Sequence, residues 1–249
     1  MNLKERIKSG QPCIGAWAQS PSVATAEAMA SCGFHWLAID LEHAAIDIEA
    51  AVAIFLAVER HGVVPLARLP SADPYLARRL LDNGAQGLIV PVVESAEAFG
   101  EFSQHCLYPP RGKRGVGLSR CNLWGDKFAD YLANFSPVLV PQIETMKGVE
   151  AALAIAARPE VDALFLGPYD LSADLGKAGD FSTPEFLAAR ESVKKACQTH
   201  GKAAGIHQVD PIPEGLKEKI ADGFSFIAYG TDLIALRYAL GRPVEIVGR

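Results

Sequence analysis

Residues 35–43 read HWLAIDLEH. An unbroken apolar run, WLAI, stops at Asp40, and Glu42 and His43 follow at once. A strand with one wet face alternates polar and apolar residues. This one does not, so both faces are expected to be buried, as in a parallel sheet covered by helices. Two acids and a histidine are costly to bury at the end of such a strand. Either they open a surface loop or they face a reaction.

The same pattern recurs along the chain. Strands are predicted at IGAWA (14–18), HWLAID (35–40), VVPLAR (63–68), GLIVPVV (87–93), SPVLVPQIE (136–144), ALFLG (163–167), KAAGI (202–206) and FSFIAYG (224–230). Helical stretches lie between most of them. Ser20-Pro21, Asp73-Pro74 and Thr183-Pro184 each pair a capping residue with a proline suited to a first helical turn. Ser95 opens a further helix, and Gly33, Gly62, Gly84 and Gly201 stand where helices should stop. Eight strands alternating with helices predict a parallel (β/α)8 barrel of the TIM type, with residues 1–249 forming one domain. A doubly wound open sheet is the other candidate, but no GxGxxG follows the first strand. Only residues 106–136, rich in Gly, Pro and Arg, break the rhythm. They are predicted to form a long functional or interface loop.

The composition, 49% apolar and 21% charged, allows a large core. A net charge of −5 without any basic run argues against nucleic acid or an anionic membrane as partner. No apolar signal core and no stretch of about 20 apolar residues is present, so a soluble, cytoplasmic protein is expected. The five cysteines form no CxxC pair and read as free thiols, Cys121 alone lying in the irregular loop.

Active sites of β/α barrels gather at the C-terminal ends of the strands. The ionisable and amide residues falling there are Asp40, Glu42 and His43 after the second strand, and Arg68 after the third. Gln142 and Glu144 follow the fifth, Asp170 the sixth, and His207 and Gln208 the seventh. Glu144 and Asp170, from adjacent strands, are oxygen ligands suited to a hard divalent ion such as Mg²⁺ or Mn²⁺, although each alone could equally be a salt-bridged surface acid. His43 is a candidate base, with Asp40 three residues earlier to orient or polarise its imidazole. Arg68 needs an anionic partner, either a core acid or a substrate oxyanion. The Gly-Pro turn at 167–168 exposes backbone N–H groups that could hold a carboxylate.

Seven stretches, GAW (15–17), GFHWLAIDLEH (33–43), PLARLP (65–70), LLDNGAQGLIVPVVES (80–95), YPPRGKRGVG (108–117), PQIET (141–145) and GPYDLSADLG (167–176), carry a resemblance over nearly the whole chain. Together they resemble the HpcH/HpaI aldolases, metal-dependent 2-oxo acid (pyruvate-type) aldolases. These include 4-hydroxy-2-oxoheptanedioate aldolase and the dehydro-deoxy sugar-acid aldolases. The resemblance implies a barrel of the phosphoenolpyruvate/pyruvate type, assembled as a homo-oligomer, a hexamer with exchanged C-terminal helices or a trimer. It implies His43 as proton acceptor, Arg68 as enolate stabiliser, and Glu144 and Asp170 as ligands of Mg²⁺ or Mn²⁺, with Co²⁺ or Zn²⁺ as further candidates. Gln142 and the backbone of Gly167, Pro168 and Tyr169 would contact the pyruvyl unit. Asp82 would support the histidine, from this subunit or a neighbour. The substrates implied are a small 2-oxo acid and an aldehyde. Leu41, Tyr169 and GIHQVDPIPEG (205–215) depart from the family pattern, around the aldehyde side.

Three rivals follow from the same residues. A Schiff-base aldolase needs a lysine inside the barrel, whereas Lys147 and Lys202 fall outside the strand ends that matter. A citrate-lyase-like enzyme acting on a CoA thioester would use Arg111, Lys113, Arg114 and Arg120. A non-catalytic barrel could keep the fold alone.

Overall fold

The computed structural model describes residues 2–246; the outermost positions of the expected 1–249 domain, residue 1 and residues 247–249, lie outside the described residues. Eight parallel strands close into one barrel in chain order: β1 Cys13–Ala18, β2 Trp36–Asp40, β3 Val64–Arg68, β4 Gly87–Val90, β5 Val138–Ile143, β6 Ala163–Leu166, β7 Ala203–Gln208 and β8 Phe226–Thr231. The first helices are α1 Leu3–Lys8, α2 Val23–Ala30, α3 Ile48–Glu59, α4 Pro74–Asp82, α5 Ala96–Gln104 and α6 Phe128–Asn134. They are followed by α7 Met146–Ala156, α8 Pro168–Asp174, α9 Pro184–Thr199, α10 Pro213–Ala221, α11 Asp232–Leu240 and α12 Pro243–Ile246. No described helix is long and apolar enough to cross a membrane.

Two apolar layers hold this arrangement. One fills the barrel, where Trp17, Trp36, Phe165 and Phe226 pack together, Trp36 stacking on Phe226 at 4.5 Å. Leu3 and Ile7 of α1 join this inner layer and so close the N-terminal end of the barrel. The other lies between strands and helices, with Leu37, Ile39, Ile54, Phe55, Leu80 and Leu164 among its residues. Alternate residues of β2 serve the two layers, Trp36 and Ala38 inward, Leu37 and Ile39 outward. That is why its sequence shows no polar alternation.

Three local expectations need correction. The cap of α2 is Ser22, not Ser20: Ser22 Oγ accepts from Thr25 N, and Ser20 Oγ only accepts from Ser22 N. Strand β4 ends at Val90 instead of 93, because Val92 takes a φ of +50° that no strand tolerates. Residues 106–136 are not a bare loop; they hold a 3₁₀ turn at Arg120–Gly125 and helix α6. Arg114 anchors this segment. It is buried, donates to Asp82 Oδ1 at 2.5 Å and lies over the Tyr108 and Phe135 rings at 4.5 and 5.1 Å.

Candidate active site

The strand register brings β2 and β3 into line at their ends, Asp40 beside Arg68. Arg68 Nε donates to Asp40 Oδ1 at 2.9 Å and Nη2 donates to Oδ2 at 2.8 Å, a bidentate pair fixed by the planar guanidinium. Gln19 Nε2 also donates to Asp40, at 3.0 Å. Burial alone would push the Asp40 carboxyl up, but the Arg68 hydrogen bonds and charge hold it at about 2. Arg68 Nη1 ion-pairs with Glu42, and its guanidinium lies 5.3 Å over the Trp17 ring.

Asp40 does not orient the His43 imidazole. Its Oδ1 accepts instead from the backbone N–H groups of Glu42 and His43, at 3.0 and 3.1 Å. The carboxylate therefore shapes the turn after β2, and the histidine ring is left exposed at the rim. The acid nearest the ring is Glu42, at 3.9 Å from His43 Nε2.

Glu144 leaves β5 on the neighbouring wall and is 5% exposed. It accepts from Val92 N at 2.7 Å and from the Gln142 amide. The left-handed backbone of Val92 is what aims that N–H at the carboxylate, a local strain of the kind that persists when surrounding packing enforces it. Gly167 is required at the end of β6: a Cβ there would meet Glu144 Oε2 at 2.7 Å and Glu144 Cβ at 2.8 Å. Pro168 then starts α8, which carries Asp170 on its first turn, with Tyr169 edge-on to Phe181.

One cavity of about 350 Å³ is lined by His43, Arg68, Gln142, Gly167, Pro168, Tyr169 and Asp170, and a contiguous one of about 290 Å³ by Glu42, His43, Val92, Glu144 and Asp170. Of the residues expected at the site, Glu42, His43, Arg68, Gln142, Glu144, Gly167, Pro168, Tyr169, Asp170 and His207 line this mouth, Asp40 lies beneath it as Arg68's partner, and Gln208 is not part of the lining. Asp82 stands apart: it ends α4 and pairs with Arg114, at the opposite end of the barrel from its own chain's His43. Several lining residues carried no signal at the strand ends. Trp17 forms the floor, stacked on His207 at 4.8 Å and on Phe165 at 5.7 Å. Thr231 Oγ1 lies 3.2 Å from His207 Nε2, and behind the lining residue Gln19 the buried Asp232 accepts from Gln19 N and Ser20 N at 2.9 Å. Burial and the nearby Arg68 charge lower His207 to about 4, so its ring is neutral at ordinary pH. The tail of a strand reading as small or apolar, such as AWAQ or AYGTD, hides such residues.

The donor set fits a divalent cation. Glu144 is pushed up to about 7, first by burial and then by the charges of Asp170 and Glu42. Gln142 Oε1 is buried without a hydrogen-bond donor. A cation held by Glu144 and Asp170 would compensate the Glu144 charge with oxygen ligands. Among the described residues no three His, Cys, Asp or Glu side chains converge on one point, so the chain offers two carboxylates and leaves further positions to water or substrate.

Residues 13–239 match the family model for the HpcH/HpaI aldolase/citrate lyase family. The chain belongs to this family. A hydroxypyruvate/pyruvate aldolase of Chromohalobacter salexigens is 39% identical to it, over 95% of this chain and 93% of the relative. A 5-keto-4-deoxy-D-glucarate aldolase of Shigella dysenteriae is 35% identical over the same shares. An HpcH/HpaI aldolase/citrate lyase family structure from Burkholderia cenocepacia superposes with a TM-score of 0.92 at 32% identity, covering 99% of both chains. The chain is accordingly a lyase of the aldolase kind, with small-molecule substrates and a divalent metal ion as cofactor.

Proposed function

We propose that this HpcH/HpaI aldolase cleaves a 4-hydroxy-2-oxo acid to pyruvate and an aldehyde, and runs the reverse addition, using Mg²⁺ or Mn²⁺. The observation that carries this reading is the buried, uncompensated Glu144 beside Asp170, across one cavity from the Arg68–Asp40 pair and the His43 ring. Glu144 and Asp170 would hold the cation; when bound, it supplies Lewis acidity where negative charge develops on the 2-oxo group.

The chain's own groups do the rest. Backbone N–H groups at the start of α8 hold the substrate carboxylate, favoured by the positive end of the turn. The Gln142 amide orients the pyruvyl unit from the floor. His43 accepts the proton of the C4 hydroxyl. As the C3–C4 bond breaks, its electron pair passes to C3 and into the conjugated 2-oxo group, and the aldehyde departs. Arg68 faces that developing oxyanion as a fixed charge. Asp40 keeps the guanidinium from turning, so no reorganisation is needed at the moment of reaction. The proton that His43 took is then returned to the enolate carbon, which gives pyruvate and restores the base.

Among the described residues Glu42 is the acid within 4 Å of the exposed His43 ring, and Asp82 lies at the far end of the barrel. A homo-oligomer, trimer or hexamer, in which a neighbour's Asp82 approaches His43 accounts for both. The exposed Leu233, Leu236, Tyr238 and Leu240 of α11 give such an assembly an apolar surface to cover. Multi-angle light scattering reads the assembly directly.

The rivals lack comparable support. Lys147 Nζ pairs with Glu94 outside the pocket, and Lys202 Nζ donates to the carbonyls of Arg158 and Val161, so neither is placed as a Schiff-base nucleophile. Arg114 and Arg120 are held by Asp82 and Glu59 at the C-terminal ends of α4 and α3, away from where a nucleotide would enter. The deciding test is pyruvate release, coupled to lactate dehydrogenase, over a panel of 4-hydroxy-2-oxo acids with and without EDTA. Metal-dependent release is expected. Release that survives complete chelation, or none from any member of the panel, defeats the proposal.

A further inference from the structure

A second cavity, of about 480 Å³, lies at the N-terminal end of the barrel, where active sites of this fold are not found. Its polar wall is Lys4 and Lys8 of α1, Arg111, Lys202 just before β7, and the acids Asp162 and Glu160. The acids are largely spoken for. Asp162 accepts from Leu139 N at 2.9 Å and pairs with Lys4 at 3.1 Å; Glu160 accepts from Arg158 and from Ser103. Against them stand four cations brought from three separate parts of the chain. Lys8 makes no ion pair with a described residue, Arg111 spends one nitrogen on the Phe135 carbonyl, and Lys202 spends two hydrogens on carbonyls. Each keeps donors free.

This excess is unexpected in a chain of net charge −5. Lys4 and Lys202 are half-buried and both are held below the usual lysine range by burial; the charge of Asp162, joined by Glu160 at Lys202, works against that shift, and neighbouring cations add a smaller lowering. The remaining wall, Ile7, Leu107, Pro159 and Val161, is apolar and excludes water from part of the cavity. A concave, partly apolar pocket with converging unpaired donors of one sign concentrates counter-charge.

We propose that this cavity binds a small polyvalent oxyanion, a phosphate or a short dicarboxylate, at a site separate from the reaction. Three free donor groups match an ion with several acceptor oxygens, and the volume admits a short carbon chain. A monovalent anion such as chloride would leave the excess partly unbalanced. The proposal does not depend on the identity of the aldolase substrate.

The test is calorimetric titration of the Mg²⁺-loaded protein with inorganic phosphate, succinate and chloride in turn, repeated in saturating pyruvate. Phosphate or succinate should bind saturably, pyruvate should not compete, and higher ionic strength should weaken binding. Phosphate alone binding identifies a phosphate-bearing ligand, and succinate alone a dicarboxylate. The Lys8→Ala/Arg111→Ala double variant changes two exposed side chains and should lose about tenfold or more in affinity, on the scale of charge-assisted hydrogen bonds. Its KM for pyruvate in the aldol direction should stay the same. No saturable binding, competition by pyruvate, or unchanged affinity in the double variant overturns the proposal.

Discussion

The two ends of the barrel carry opposite unbalanced charge. At the C-terminal end Arg68 is taken by Asp40 and Glu42, which leaves Glu144 and Asp170 without an ion pair among the described residues. At the N-terminal end Asp162 is taken by Lys4, which leaves Lys8, Arg111 and Lys202 with no full partner. Burying uncompensated charge is costly anywhere. The difference lies in what offsets it. The acids line one cavity with His43, where the proposed cation and 2-oxo acid would be held together. The bases line a separate cavity at the barrel end opposite the strand C-termini, where active sites of this fold are not found, which suits binding without chemistry.

The largest effect expected from breaking this comparison is at Glu144. Glu144→Gln keeps the shape and the Val92 N–H contact but removes the charge. Aldolase kcat/KM should fall by on the order of a thousandfold, comparable to losing a major oxyanion-stabilising group. The metal-free protein should at the same time become no less stable, since a disfavoured buried charge is gone. Steady-state kinetics and urea unfolding report the two separately; activity within tenfold of wild type would remove Glu144 from the proposed site.

Next in size is Asp40→Asn. It leaves Arg68 buried beside a neutral amide, and breaking one side of a buried pair costs about 3 kcal/mol. Asp40 is held at about 2 against an ordinary value of 3.8. A depressed carboxylate stabilises the fold above its unfolded pKa, and that contribution is lost as pH falls through the folded one. The difference in unfolding free energy between wild type and variant should therefore be constant at neutral pH and shrink between about pH 4 and pH 2. A difference that persists undiminished at pH 2 would show that Asp40 acts by packing and not by charge.

How much of this was readable from sequence depends on the physics behind each residue. The eight strands are legible because apolar runs bounded by turns leave few alternatives, and sorting ionisable residues by strand end picks out Arg68, Glu144 and Asp170, which line one mouth of the barrel. Asp40's role was misread since spacing along the chain does not reveal that a guanidinium from β3 would take both carboxylate oxygens. Val92 was hidden for a similar reason: a valine in an apolar run predicts strand, and only the need of Glu144 for a donor explains its φ of +50°. The basic cavity left no trace at all, because Lys4, Arg111 and Lys202 lie far apart in sequence.

The smallest effect sharpens the comparison most. In metal-free protein the two ends should respond to pH with opposite sign. Glu144 is raised toward about 7 from 4.5, so the unfolded chain loses this proton first and stability falls as pH rises across that interval. Lys4 is lowered from 10.5, so the folded chain loses its proton first. Stability then rises with pH between the lowered value and 10.5. Glu144→Gln should flatten the first slope and leave the second. Lys4→Met should reduce the second without abolishing it, since Lys202 is lowered in the same range, at a general cost of about 1 kcal/mol because Asp162 loses a hydrogen-bonded partner. Unfolding free energies of the three proteins in EDTA, followed from pH 5 to pH 10, separate the ends; a common change of slope in both variants would mean that the two charge excesses are not independent.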